Sequence, residues 1–137
     1  MNLSGNRISE INGLENLKNL EYLQFGDGDC NNGGNPITEI KGLGSLTNLK
    51  ELWFSENEIA EIKGLENLTK LEILDLESNK ITEIKGLDTL INLKVFSIYS
   101  NQIREFKGLD SLQNLEFLDL SYNEIKEIDL EAIEKLP

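Results

Sequence analysis

The sequence predicts an α/β repeat solenoid: a right-handed curved superhelix with a parallel β-sheet on its concave wall and 3₁₀ or very short helical turns on its convex wall. Three observations predict it. Leu49, Leu71, Leu93 and Leu115 stand 22 residues apart, and a fixed period of roughly 20–50 residues is the signature of stacked supersecondary units. Asn6, Asn35, Asn57, Asn79, Asn101 and Asn123 form a column in the same frame, and Gly13, Gly42, Gly64, Gly86 and Gly108 form another. Recurrence in every turn is what a structural requirement produces, so neither column reads as a site of chemistry.

The bulk composition admits such a fold and excludes several function classes. A chain of 137 residues suits one domain, and 39% hydrophobic and 28% charged residues with two prolines suit a folded one. Acidic residues outnumber basic ones 25 to 13, for a formal net charge of −12. That surface repels phosphate backbones and anionic headgroups, so neither nucleic acid nor membrane is expected as a partner. No apolar run approaches the roughly 18 residues that span a bilayer, and Met1-Asn2-Leu3-Ser4 lacks the character of a signal peptide, which makes the cytoplasm the expected compartment. The chain has no histidine and a single cysteine, Cys30. Imidazole chemistry is excluded, and Cys30 reads as an incidental thiol with no base to activate it. No enzyme activity and no cofactor are expected.

Taken in order, the first element is a partial turn. Leu3 already occupies the second strand leucine, so the chain is expected to enter mid-repeat without an N-terminal cap, as if cut from a longer array. The next repeat runs 29 residues from Leu20 to Leu49, seven more than the period. The surplus falls in the insertion 26–34, built from turn and loop formers and placed at the C-terminal end of a strand. Asp27, Asp29 and Asn31 match the first three ligand positions of a calcium loop. Asn32 then stands where glycine is needed and Thr38 where the closing Glu is needed, so the expectation is a polar loop, with a weak calcium loop over 27–33 as an alternative.

The regular repeats follow. In Leu71-x-x-Leu74-x-Leu76 the last two leucines point to one side of a short strand, while Ile73, Asp75 and Glu77 point to the other. Ile81, Ile84, Leu87 and Leu90 then fill the inside of the coil. The asparagines are expected to form a buried hydrogen-bond ladder where the backbone leaves the strand, and the glycines to mark a tight backbone approach. Glu39, Glu61, Glu83 and Glu105, with Lys41, Lys63, Lys85 and Lys107 two residues on, read as solvated stripes of opposite sign. Residues 1–128 thus form one array of about six repeats, the first and last incomplete. In the last segment, 129–137, Leu130, Ile133 and Leu136 recur every three residues, which predicts a short amphipathic helical turn that closes the core with Glu131, Glu134 and Lys135 outside.

Each repeat continues into Ile-x-Gly-Leu-x-x-Leu-x-x-Leu, as in Ile62-Lys63-Gly64-Leu65 followed by Leu68 and Leu71; one copy has Phe106 for the Ile. With the strand motif, this resembles the leucine-rich-repeat family, specifically its 22-residue class, which includes internalins and the nuclear regulatory subunit of protein phosphatase 1. The match runs from Leu3 to Ile128. The resemblance implies a leucine-rich-repeat superhelix that binds another protein or peptide, and it is silent on which one.

The residues that face away from the core define the expected binding surface. Tyr22, Glu51, Ile73, Val95 and Phe117 form one column; Gln24, Trp53, Asp75, Ser97 and Asp119 a second; Ser55, Glu77, Tyr99 and Ser121 a third, with Glu56 and Tyr122 just beyond. No Lys or Arg occurs among them. Aromatic and aliphatic side chains beside carboxylates predict a partner with basic and apolar groups, anchored at Trp53, Tyr99 and Phe117. The chain is expected to be a monomer; a structural segment that associates end to end through its uncapped turn is the alternative. A hydrolase using Asp75 and Asp119 is rejected because the two lie two repeats apart on an open surface.

Overall fold

The protein is represented by a computed structural model, which describes residues 1–26, 33–128 and 130–137. Cys30 and the calcium-ligand candidates Asp27, Asp29 and Asn31 lie outside the described residues.

Each repeat contributes one short strand: β1 (Tyr22–Gly26), β2 (Glu51–Phe54), β3 (Ile73–Asp75), β4 (Val95–Ser97) and β5 (Phe117–Asp119). They form one open parallel sheet in the order β1-β2-β3-β4-β5. The register follows the repeat, so Leu23, Leu52, Leu74 and Phe96 are successive partners. All four are fully buried. Each such side chain withdraws enough apolar surface from water to contribute roughly 1.5–3 kcal/mol, which no isolated turn could collect. The Phe25 and Phe54 rings stack with centroids 5.0 Å apart. Their pairing lies beside a register shift between Gln24 and Gly26, the one irregularity of the sheet among the described residues. Asn2 bridges to Gln24 in the parallel sense.

The return path on the far wall is compact. Leu68 donates its N–H to Leu65 O at 2.9 Å and Leu71 to Leu68 O at 3.0 Å, and the same pair of bonds recurs at Leu43-Leu46-Leu49 and Leu87-Leu90-Leu93. The expected 3₁₀ geometry therefore takes the form of two successive i→i+3 turns per repeat. A second asparagine column, broken by Lys70 and not recognised from the sequence, ties these turns together. Asn48, Asn92 and Asn114 donate to Lys18 O, Thr69 O and Ile91 O at 2.8, 2.8 and 2.7 Å.

The main asparagine column is the ladder that its regularity predicts. Asn101 Oδ1 accepts the Ile81 N–H at 2.9 Å, and its Nδ2 donates back to Leu76 O at 2.9 Å. Asn79 does the same with Ile59 and Phe54. The burial is not uniform: Asn35, Asn57, Asn79 and Asn101 are buried, whereas Asn123 is half-buried and Asn6 exposed, because the outermost turns are covered on one side only. Just before the ladder, Glu56, Ser78, Ser100 and Tyr122 all adopt left-handed backbone, with φ from 53° to 56°. That strain is unusual for non-glycine residues and is held by the turn around it.

The C-terminal segment departs from expectation. Helix α1 forms over Leu130–Glu134, as its three-residue spacing predicts. It does not close the core: Leu130 is 74% exposed and Ile133 42%, and only Leu136 packs against the apolar interior. Spacing of three gives a stripe, but a helix of five residues is too short to lay that whole stripe on the last repeat.

Candidate functional site

The sheet has an inner face, sealed by the core, and an outer face. Alternation along each strand delivers every second side chain outward. Register then aligns them into rows: Tyr22, Glu51, Ile73, Val95 and Phe117 are successive partners, as are Gln24, Trp53, Asp75, Ser97 and Asp119. The register aligns these two of the sequence-predicted columns; the third, Ser55, Glu77, Tyr99 and Ser121, lies beyond the paired strand residues.

Depth within the face is uneven, and here three expectations need correction. Asp75, Gln24 and Ser55 were all read as part of the exposed binding surface, and they are only 7%, 7% and 1% exposed. Asp75 Oδ1 accepts hydrogen bonds from the Ser55 hydroxyl of the neighbouring repeat and from the Glu77 N–H, the latter at 3.1 Å. It closes the turn at the end of β3 and is shielded in doing so. Asp119 uses the same device, accepting the Ser121 N–H at 2.8 Å, and so does Asn2 toward Ser4. Gln24 Oε1 accepts the Tyr22 hydroxyl. These turn-closing roles were missed; the signal was the recurrence of Asp or Asn at the last strand position, two residues before the N–H that it accepts.

The aromatic candidates also separate. Phe117 is 53% exposed and Tyr122 77%. The Tyr122 ring lies 4.9 Å from that of Tyr99, tilted by 59°. Trp53 is half-buried, and its Nε1–H is buried without an acceptor among the described residues. Tyr22, Glu51, Ile73, Glu77, Val95, Tyr99 and Asp119 are all half-buried.

Charge pairing is uneven over the surface. Along the strand starts runs an alternating column, Glu21, Lys50, Glu72, Lys94 and Glu116, in which Lys50 meets Glu21 at 3.0 Å and Lys94 meets Glu72 at 2.7 Å. The Lys94 hydrogen bond and charge hold the Glu72 carboxyl below the usual range. The Glu and Lys stripes engage diagonally, with Lys63 on Glu39 at 2.9 Å and Lys107 on Glu83 at 3.4 Å. By contrast, Glu51, Glu56, Asp75, Glu77 and Asp119 enter no salt bridge among the described residues. Burial pushes the Glu77 carboxyl up, and the charges of Asp75, Asp119 and Glu56 push it further. Burial also raises Asp75, against the opposing hydrogen bonds from Ser55 and the Glu77 N–H.

Among the described residues, no group of three or more His, Cys, Asp or Glu side chains could hold a metal ion, and no helix is long and apolar enough to cross a membrane. What the outer face offers is an open surface of apolar rings beside uncompensated negative charge.

Comparison with known proteins places these observations. The profile of the family described as "Leucine Rich repeats (2 copies)" matches residues 47–89 and 91–132. No curated protein sequence matches the chain. Among solved structures, internalin C2 of Listeria monocytogenes is 29% identical with a TM-score of 0.83, over 98% of this chain and 55% of that one. Internalin inlF of the same organism is 25% identical with a TM-score of 0.57, over 90% and 48%. A chain in the Toll–Spatzle complex of Drosophila is 23% identical with a TM-score of 0.71, over 88% and 18%, a likeness of fold alone. The chain therefore spans about half the length of the internalin chains it resembles.

Proposed function

The chain belongs to the leucine-rich-repeat family, and from that premise we propose that it is an interaction scaffold that holds a protein partner with basic and apolar groups on the outer, concave face of its sheet. Leucine-rich repeats generally serve as protein-interaction modules and are typically not enzymes. The observation that carries the reading is the pairing of exposed Phe117 and Tyr122 with Glu51, Glu56, Glu77 and Asp119, none of which has a basic partner among the described residues, whereas Glu39, Glu58 and Glu72 each pair with a lysine. Rings supply area that becomes buried on contact, and carboxylates supply selectivity and attraction at a distance.

Affinity capture tests it. Wild-type protein, a sheet-face variant (Phe117→Ser with Tyr122→Ala) and a stripe variant (Lys63→Ala with Lys85→Ala) are used as parallel baits, with captured proteins quantified by mass spectrometry. A partner retained by wild type and by the stripe variant, and lost from the sheet-face variant, supports the proposal. A partner lost only from the stripe variant refutes it.

A further inference from the structure

We infer that the sheet face reads one particular side chain, an arginine of the partner, whose guanidinium sits over Ser97 against the Tyr99–Tyr122 ring pair and faces the carboxylates of Glu77 and Asp119. The inference rests on the sheet-face reading above and adds the chemistry of a single subsite.

The subsite follows from register. Asp75, Ser97 and Asp119 are direct neighbours across β3, β4 and β5. Strands lie about 4.8 Å apart, so a small hydroxyl side chain separates two acids whose backbones are roughly 10 Å apart. Along the strand direction the same-face neighbours of Ser97 are Val95 on one side and Tyr99 on the other. On the face Ser97 is thus a small side chain flanked by an aliphatic group, an aromatic residue and two aspartates.

The acids have defined roles around it. Asp75 Oδ1 is engaged by Ser55 and by the Glu77 N–H, and the side chain is buried. Asp119 uses Oδ1 for the Ser121 N–H, and Oδ2 takes no hydrogen bond among the described residues. Glu77 feels the charge of Asp119 although they lie two repeats apart, with no cation between them among the described residues. A cation brought by a partner would relieve this repulsion.

The rings select the shape of that cation. Tyr122 is highly exposed, yet its backbone is fixed in the left-handed region at φ 55° and its ring is braced on Tyr99. A planar guanidinium can stack on such a ring while its edge donates to carboxylate oxygens, whereas a lysine ammonium, a compact and strongly hydrated point charge, gains less from the same arrangement.

The test is a titration followed by ¹H–¹⁵N NMR on the whole chain at physiological salt, with N-acetyl-arginine methylamide, its lysine counterpart and its neutral citrulline counterpart as probes. The expected result is saturable shifts of the Ser97, Tyr99, Asp119 and Ser121 amides with the arginine probe, at least ~3-fold tighter than with the lysine probe, and none with citrulline. Ser97→Leu, which replaces the small side chain with a bulky one, and Tyr122→Ala, on an exposed side chain that leaves the core intact, should each abolish saturation. Equal response to arginine and lysine, or shifts that survive both substitutions, overturns the subsite. The sheet-face proposal would outlast that failure if Phe117→Ser with Tyr122→Ala still loses the captured partner.

Discussion

Asn79 and Ile59 stand 20 residues apart in different repeats, and Asn79 Oδ1 accepts the Ile59 N–H at 3.0 Å. The same side chain donates to Phe54 O at 2.9 Å, so one amide satisfies two backbone groups of the preceding turn. Asn79→Ala leaves those buried groups unpaired and should destabilise the protein by about 1–3 kcal/mol. Asn6→Ala, at the exposed end of the column, should have a much smaller effect. Urea unfolding of the two variants checks this; equal midpoints would show that the ladder does not bear on stability.

The glycine column makes a second comparison. A Cβ at Gly64, where φ is +74°, would lie 2.6 Å from Ile40 O, whereas one at Gly13, where φ is +77°, meets nothing within 4 Å. Both Gly→Ala variants carry the left-handed backbone strain, about 1 kcal/mol or more. Only Gly64→Ala must also push apart two repeats. It should therefore have the lower thermal midpoint of the pair, and the reverse order would mean that the repeats do not pack at this carbonyl.

The acids of the sheet face predict a pH dependence. Burial raises Asp75 in the folded protein. A raised folded value means that the native state holds the proton more tightly than the unfolded chain, so the associated stability is full below the ordinary aspartate value of about 4 and is lost as pH rises through the folded value. Asp75→Asn keeps an acceptor for Ser55 and for the Glu77 N–H but removes the charge. Its stability relative to wild type should improve from pH 4 to pH 7, read by urea unfolding at each pH. Carboxyl NMR provides the independent check: titration of Asp75 below the ordinary range would contradict the assignment.

The edge column should behave in the opposite sense. Lys94 lowers Glu72, so that pair contributes above the ordinary glutamate range and its contribution is lost as pH falls through the folded value. In Lys94→Ala, the Glu72 carboxyl should titrate at a higher pH than in wild type. An unchanged Glu72 titration would mean that the 2.7 Å contact does not persist in solution.

Much of this was legible in the residues themselves. The 22-residue frame fixed which leucines stack, because Leu52, Leu74 and Phe96 can be partners only if each turn adds one strand. Period-two alternation also gave the two outward rows that the register aligns. It could not assign depth: Asp75 is buried because Ser55 of the neighbouring repeat reaches it, a relation between strands that no single repeat encodes. Trp53 and Phe117 occupy equally outward positions, yet Phe117 is exposed on the edge strand while Trp53 lies half-buried between β1 and β3. The left-handed column at Glu56, Ser78, Ser100 and Tyr122 carried no glycine to announce it. The helix over 130–134 was visible as a spacing of three, whereas its poor seating depends on the geometry of the turn before it.

The central claim is that the sheet face binds the partner, and the most direct measurement is calorimetric affinity of one captured partner for two variants of matched thermal stability. Phe117→Ser with Tyr122→Ala should weaken binding by at least ~2 kcal/mol, since exposed rings near the centre of a contact commonly dominate its energy. Lys63→Ala with Lys85→Ala, on the charged stripes, should leave the affinity within about 2-fold of wild type, as expected for side chains outside the contact. Undiminished binding by the sheet-face variant, with loss of binding in the stripe variant, would place the functional surface elsewhere on the solenoid and contradict the account.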